Sequence, residues 1–170
     1  MLLKSQKIAF LGILLAIVVL LVYGGVIMES STLFFLCAAS FCLGIVIDEF
    51  GKRLGAGFFI ACSILTFFLI PNKMYCFSLA AMNLYILLAE CLADRIPKAF
   101  SFIKYLLFNA VFLPILWFMP EFLYAGKINK TVLLGLWVGG QVIFTIYDYA
   151  YRRIRYEFWP QIRKKIIGIN

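Results

Sequence analysis

The sequence of 170 residues contains no histidine. This excludes histidine-ligated metal sites, Ser-His catalytic triads and imidazole acid–base chemistry. Five cysteines are present, but none are paired at C-x-x-C spacing, so neither a zinc site nor a dithiol motif is indicated. We expect them to be free thiols that pack as small apolar side chains. The sequence therefore predicts no metal, no cofactor and no catalytic centre.

Charge is also scarce, since only 14% of the residues are charged and 65% are apolar. An ordinary soluble domain has about a quarter of its residues charged, and a disordered chain has low hydrophobicity, so both classes are excluded. The net charge of +8 does not indicate a nucleic-acid partner, because the basic residues flank long apolar runs. The composition predicts an integral membrane protein.

Six apolar runs are separated by polar residues or proline, which predicts an all-α, polytopic membrane protein with six transmembrane helices. A span needs about 20 residues, and the second, third and fourth runs have only 15 to 17. A four-span arrangement therefore remains an alternative. The runs cover residues 8–28, 33–47, 54–70, 74–89, 103–119 and 131–147.

With six spans, the distribution of basic residues predicts the orientation of the chain. Thirteen lysines and arginines fall on the side of the N-terminus and three on the opposite side. Because basic residues accumulate on the cytoplasmic side of membrane proteins, we expect both termini to be cytoplasmic. The predicted location is the bacterial cytoplasmic (inner) membrane, as a multi-pass protein.

The end of the chain has a different pattern, which divides it into a transmembrane domain at 1–150 and a basic tail at 151–170. Apolar residues recur every fourth position in the tail while arginine and lysine occupy other positions, and Pro160 is expected to break or kink it. This predicts a short amphipathic basic helix on anionic lipid headgroups. A docking surface for a cytoplasmic partner is the alternative.

Polar residues inside the apolar runs predict contacts between helices. Asn83, Asn109 and Gln141 are interpreted as interhelical hydrogen-bonding residues, and Gly135 with Gly139 provides the spacing for close helix approach. Acidic pairs near the predicted inner boundary raise a second possibility, a divalent-metal site for lipid-phosphate chemistry. Their basic neighbours would neutralise such a cluster, so a non-enzyme is the preferred interpretation. The residues concerned are Asp48, Glu49, Glu90 and Asp94, with Lys52, Arg53 and Arg95 beside them.

The first apolar run reads Lys7-Ile-Ala-Phe-Leu-Gly12-Ile-Leu-Leu-Ala16. It resembles the opening of S components, the substrate-binding subunits of energy-coupling-factor (ECF) vitamin transporters, in which an Ala-x-x-x-Ala pair packs against the transmembrane T component; here Gly12 replaces the first alanine. Gly12 and Ala16 occupy the places of that pair, and either small residue permits close helix approach. Chain length, six spans, cytoplasmic ends and a basic tail extend the resemblance over the whole chain.

The resemblance implies a solute-binding subunit of an ECF-type vitamin or micronutrient importer. Its partners would be a T component, two cytoplasmic ATPases and a small-molecule ligand bound on the outward face, with Gly12 and Ala16 as the docking residues. Predicted sidedness and polarity place four residues at the ligand: Glu29, Asn72, Tyr75 and Glu121.

Two alternatives remain open. The outward polar residues, Lys73 among them, can instead form solvated turns beneath an interfacial aromatic belt. The chain can also be a non-transporting membrane scaffold or accessory subunit similar to the rod-shape protein MreD. The glycine-rich pattern ending in aspartate that is typical of that family is absent, and Asp48 with Gly51 and Gly55 only approximates it.

Overall fold

The computed structural model describes residues 4–93, 100–118 and 129–167, and these residues are helical apart from short connections. The predicted all-α fold is confirmed for these residues, and helices cover the six apolar runs except for Met28, Ile70 and residue 119, the last of which lies outside the described residues. A 3₁₀ turn at Glu29–Ser31 precedes the second helix. The helices are α1 Lys4–Ile27, α2 Thr32–Phe50, α3 Lys52–Leu69, α4 Lys73–Ala93, α5 Phe100–Phe118, α6 Lys130–Arg153 and α7 Trp159–Ile167.

Several helices are long and apolar enough to cross a bilayer. Within the described ranges, five meet both conditions, and α5 adds a shorter apolar segment at Phe102–Pro114. The helices α2, α3 and α4 contain 19, 18 and 21 residues, more than the apolar runs inside them. They are longer because charged residues at the ends of the runs, such as Lys52 and Glu90, continue the helix. The structure is therefore that of a multi-pass membrane protein at the level of helix length and composition.

The chain forms two compact units, divided between Asp94 and Arg95. In the first unit, α2 contacts α1, α3 and α4, and it is the most buried of these helices. The core of this unit contains large aliphatic side chains that are almost completely buried, including Val22, Leu43 and Ile86. A central α2 follows from its composition, because its middle is rich in small residues that permit close helix packing.

Two glycines make the sharp reversal from α2 to α3 possible. Gly51, which lies alone between the two helices, has φ +86° and ψ 169°, a backbone conformation that is essentially restricted to glycine. A Cβ atom on Gly55 would lie only 2.5 Å from Cγ1 of Ile47, so the first turn of α3 packs directly on the last turns of α2. The two glycines therefore hold α2 and α3 together at this end.

In the second unit, α5 packs against α6, and α6 continues into the C-terminal tail. A π-helical segment, Ile154–Phe158, joins α6 to α7, and the N–H of Trp159 bonds to the carbonyl of Ile154. The wide turn directly precedes Pro160, whose ring would collide with the carbonyl four residues earlier in a regular α-helix. The described part of the tail, to residue 167, is thus helical, and the π turn accommodates Pro160 without ending the helix.

Candidate functional site

Of the four residues predicted to contact a ligand, the structure describes the side chains of Asn72 and Tyr75. The side chain of Glu29 and all of Glu121 lie outside the described residues. Asn72 is exposed in the α3–α4 connection, and its Oδ1 accepts a hydrogen bond from the backbone N–H of Met74 at 3.1 Å. Tyr75 is half-buried in the first turn of α4. The amide oxygen of Asn72 therefore caps α4, while its Nδ2 has no hydrogen-bond partner among the described residues.

Lys73 stabilises the opposite side of the same connection. Its Nζ donates hydrogen bonds to the carbonyls of Phe67 and of Ile70, the latter at 3.0 Å. The same Nζ lies 4.7 Å from the centre of the Phe67 ring. Carbonyls at the end of a helix lack partners within the helix, and a lysine amine satisfies them well. Lys73 is therefore engaged in capping α3.

A shallow groove of about 270 Å³ lies beside this connection, between α3 and α4. Phe68 and Phe77 on its walls are largely exposed, and nearly all of its lining is apolar. Such a surface suits an acyl chain better than a polar solute, which requires convergent polar groups. The groove is lined by Ser63, Ile64, Phe67, Phe68, Cys76, Phe77 and Ala80.

The two predicted docking residues lie on an open face of α1. Gly12 and Ala16 are exposed, and a Cβ atom on Gly12 would meet nothing within 4 Å. The large buried side chains of α1 are Leu14, Val18 and Val22, which lie about 80–160° around the helix from Gly12 and Ala16 at about 100° per residue. The structure thus places the small pair away from the core of the first unit.

A hydrogen-bonded row of side chains joins α5 to α6, and we call it the polar seam: Tyr105, Asn109, Trp137, Gln141 and Thr145. Oδ1 of Asn109 accepts hydrogen bonds from Nε2 of Gln141 at 2.8 Å and from Nε1 of Trp137 at 3.2 Å. One turn along, the hydroxyls of Tyr105 and Thr145 lie 3.0 Å apart. The predicted role of Asn109 and Gln141 as interhelical hydrogen-bonding residues is confirmed.

An ion pair extends the contact beyond the polar seam. Nζ of Lys104 lies 2.6 Å from Oδ1 of Asp148, and the two side chains are only 7% and 10% exposed. The other carboxylate oxygen of Asp148 lies 2.9 Å from the guanidinium of Arg152, which is more than half exposed. Because Lys104 and Asp148 are both buried, removing either charge leaves the other buried without its counterion, which is strongly destabilising. The ion pair therefore locks α5 to α6.

Aromatic rings fill the α5–α6 contact beside the polar groups. The Phe108 ring stacks on Phe144 with the centroids 4.4 Å apart and on Phe112 at 5.0 Å. A Cβ atom on Gly140 would lie 2.5 Å from Cζ of Phe112, so the ring fits only because this residue is glycine. The predicted Gly135–Gly139 pair is not used in this contact, since nothing described lies within 4 Å of a Cβ atom on either residue.

The first unit contains a buried amide that the helices do not satisfy. Asn83 is 1% exposed, and its Oδ1 has no hydrogen-bond partner among the described residues. The predicted role of Asn83 as an interhelical hydrogen-bonding residue is therefore not seen for its oxygen. A buried acceptor without a partner costs about 1–3 kcal/mol.

Acidic and thiol groups in the described part of the chain do not form metal-ligand clusters of three or more. Glu90 is buried at the end of α4, and its backbone carbonyl accepts a hydrogen bond from Nζ of Lys52 at 2.6 Å. The five cysteines are free thiols, three of them buried. Lys52, one of the predicted basic neighbours, therefore contacts Glu90 of the predicted acidic cluster through the backbone carbonyl.

Sequence reasoning missed several members of the α5–α6 contact. Trp137, Tyr105 and Thr145 are ordinary residues of an interfacial or apolar helix, and no motif marks them. Lys104 and Asp148 lie near the ends of apolar runs, and nothing in the sequence indicates that these two charges meet. A signal was present, because Tyr105 and Asn109 on α5, and Gln141 and Thr145 on α6, are each separated by one helical turn.

Comparison with known proteins adds no identification: no protein-family model matches the chain, and neither curated proteins nor solved structures give a match.

Proposed function

We propose that this protein is a membrane-embedded solute-binding subunit that docks on a membrane partner through α1, as the S component of an ECF-type importer does. The observation that carries the proposal is the exposed position of Gly12 and Ala16. Small residues one turn apart let a second helix approach closely. A partner helix can do so only if no other part of the protein already covers that face. The face of α1 that carries Gly12 and Ala16 meets this condition, because both residues are exposed.

The solute would bind near the α3–α4 connection and contact Tyr75 and Asn72. Tyr75 offers a half-buried ring and a hydroxyl, and Asn72 offers an exposed Nδ2 whose hydrogens are not used within the described residues. A half-buried aromatic ring beside an amide donor suits a small solute that carries a flat ring and an acceptor. The predicted contacts of Glu29 and Glu121 remain part of the proposal.

Co-purification tests the docking role. The double variant Gly12→Leu/Ala16→Leu adds bulk to the small face, and it should abolish recovery of a T component and paired ATPases. The fold should survive, because a side chain on Gly12 meets no neighbour in the described structure. The matched control is Ile13→Phe/Ile17→Phe, which adds bulk at two exposed positions of the same helix, about 100° around it.

The result is informative in either direction. Loss of the complex in the Leu pair but not in the Phe pair supports docking through the small face. An intact complex in the Leu pair refutes this use of α1. Recovery of cell-wall or division proteins, with no small molecule retained in native mass spectrometry, would replace the proposal with the scaffold function.

A further inference from the structure

One row of α6 combines exposure with a spacing typical of paired helices. Leu134, Val138, Gln141 and Thr145 are separated by four, three and four residues, which is the spacing of a left-handed coiled pair. Leu134 and Val138 are 65% and 48% exposed, Thr145 is exposed and Gln141 is partly exposed. We call these four residues the α6 row. It lies beside the polar seam, so that Gln141 and Thr145 belong to both.

Hydrogen bonding within the polar seam leaves part of the Gln141 amide unused. The Asn109 amide is saturated, because its Oδ1 accepts two hydrogen bonds and its Nδ2 donates to the carbonyl of Tyr105 at 2.8 Å and to Oε1 of Gln141 at 3.4 Å. Nε2 of Gln141 makes only one hydrogen bond among the described residues, and Oε1 receives only the long 3.4 Å contact. Gln141 therefore retains one donor and one acceptor.

These unused groups lie near the middle of the apolar part of α6, where a bilayer provides no water. An amide left unsatisfied in hydrocarbon is unfavourable, and a partner inside the membrane removes that cost. A carboxamide is self-complementary, because its donor and its acceptor can pair with those of an identical group. Across a two-fold axis, the same residue of a second copy satisfies both.

We propose that the protein forms a homodimer in which the α6 rows of two copies face each other, with the two Gln141 amides hydrogen-bonded across the two-fold axis. A polar amide among the contact positions of a heptad row, as Gln141 is here, fixes the register of such a pair. Leu134 and Val138, which both precede Gln141 in α6, supply the apolar contact on one side of the amide pair, and Thr145 lies on the other side. The dimer is independent of docking through α1, since a different helix carries it.

The monomer–dimer equilibrium tests the proposal. Full-length protein carrying a donor or acceptor dye is reconstituted in phosphatidylcholine vesicles, and energy transfer is measured over a range of protein-to-lipid ratios. Wild-type protein should show a saturable dimer. Gln141→Leu should weaken it about eight- to three-hundredfold, because it removes both hydrogen bonds across the axis and each is worth about 0.6–1.7 kcal/mol in membranes.

A second variant separates dimer contact from a purely structural role. Asn109→Leu removes the partner of Gln141 within the chain and leaves the whole Gln141 amide available, so the dimer should be at least as tight while thermal stability falls. If Gln141 serves only the α5–α6 contact, both variants lower stability and neither changes the dimer, and that result overturns the proposal.

Cysteine cross-linking in the same vesicles locates the interface. Val138→Cys should cross-link two copies, whereas Ile143→Cys should not, although Ile143 is 52% exposed and lies about 140° around the same helix. Protein that stays monomeric at all ratios overturns the proposal, as does cross-linking at Ile143 in preference to Val138. Association only with a helix of another protein, seen by native mass spectrometry, also overturns it.

Discussion

Two adjacent glycines in α6 should respond oppositely to the same substitution. In Gly140→Ala the new methyl group would lie 2.5 Å from Cζ and 2.6 Å from Cε1 of Phe112, whereas in Gly139→Ala it would meet nothing within 4 Å. The Phe112 ring cannot move freely, because it stacks on Phe108 at 5.0 Å. Overpacking of this kind costs about 1–3 kcal/mol.

Both substitutions also gain about 0.8–1 kcal/mol of helix propensity, so the difference between them isolates the overpacking. Gly140→Ala should therefore be less stable than Gly139→Ala by about 1–3 kcal/mol. Thermal unfolding in a mild detergent, followed by the fluorescence of the three tryptophans, all of which lie in the second unit, measures this difference. Phe112→Leu in the Gly140→Ala background should restore most of it. Equal stability of the two alanine variants, or the reverse order, would refute the assigned packing of Phe112 on Gly140.

Two further predictions concern contacts for which the chain provides its own controls. Asn72→Ala should destabilise the protein by about 1 kcal/mol through loss of the α4 cap, whereas Asn129→Ala, at an N-cap without a side-chain hydrogen bond, should change the melting temperature little; equal effects would contradict the capping role. Asp148→Leu should cost about 3–5 kcal/mol because it leaves Lys104 buried without this counterion. Lys104→Met should cost less, because Asp148 keeps its contact with Arg152. The double variant should be more stable than Asp148→Leu in denaturant titration, and additive losses would argue against coupling.

The helices could be predicted because their signal is local. Runs of apolar residues marked α1 to α6, and the amphipathic pattern of the tail marked α7. The differences were at the helix ends: α4 runs from Lys73 to Ala93, several residues beyond the apolar run. Hydropathy alone ends a span at the first charge, whereas the backbone continues its hydrogen bonds through Glu90. The π turn that accommodates Pro160 is likewise not encoded by any simple residue pattern, and it keeps the helix continuous where the sequence predicts a break or a kink.

The candidate site could be predicted only in part. Asn109 and Gln141 were recognisable as polar residues in apolar helices, but their pairing depends on the register between α5 and α6. The two residues are 32 positions apart in the chain, and no local pattern sets that register. The same holds for Lys104 and Asp148. The sequence does not distinguish charges that form an ion pair from charges that are exposed to water. The orientation of the termini, the lipid contacts of the tail and the solute stay predictions.

The sequence by itself determined that this chain is built from apolar helices, because a composition so poor in charge must satisfy its backbone hydrogen bonds internally. Only the tertiary structure decided which small and polar residues serve packing. Gly140 supports the Phe112 ring while Gly135 and Gly139 lie open, although all three are glycines of one helix. The physical reason is that a glycine or an amide acquires its role from the neighbour that packs against it, and that neighbour lies on another helix.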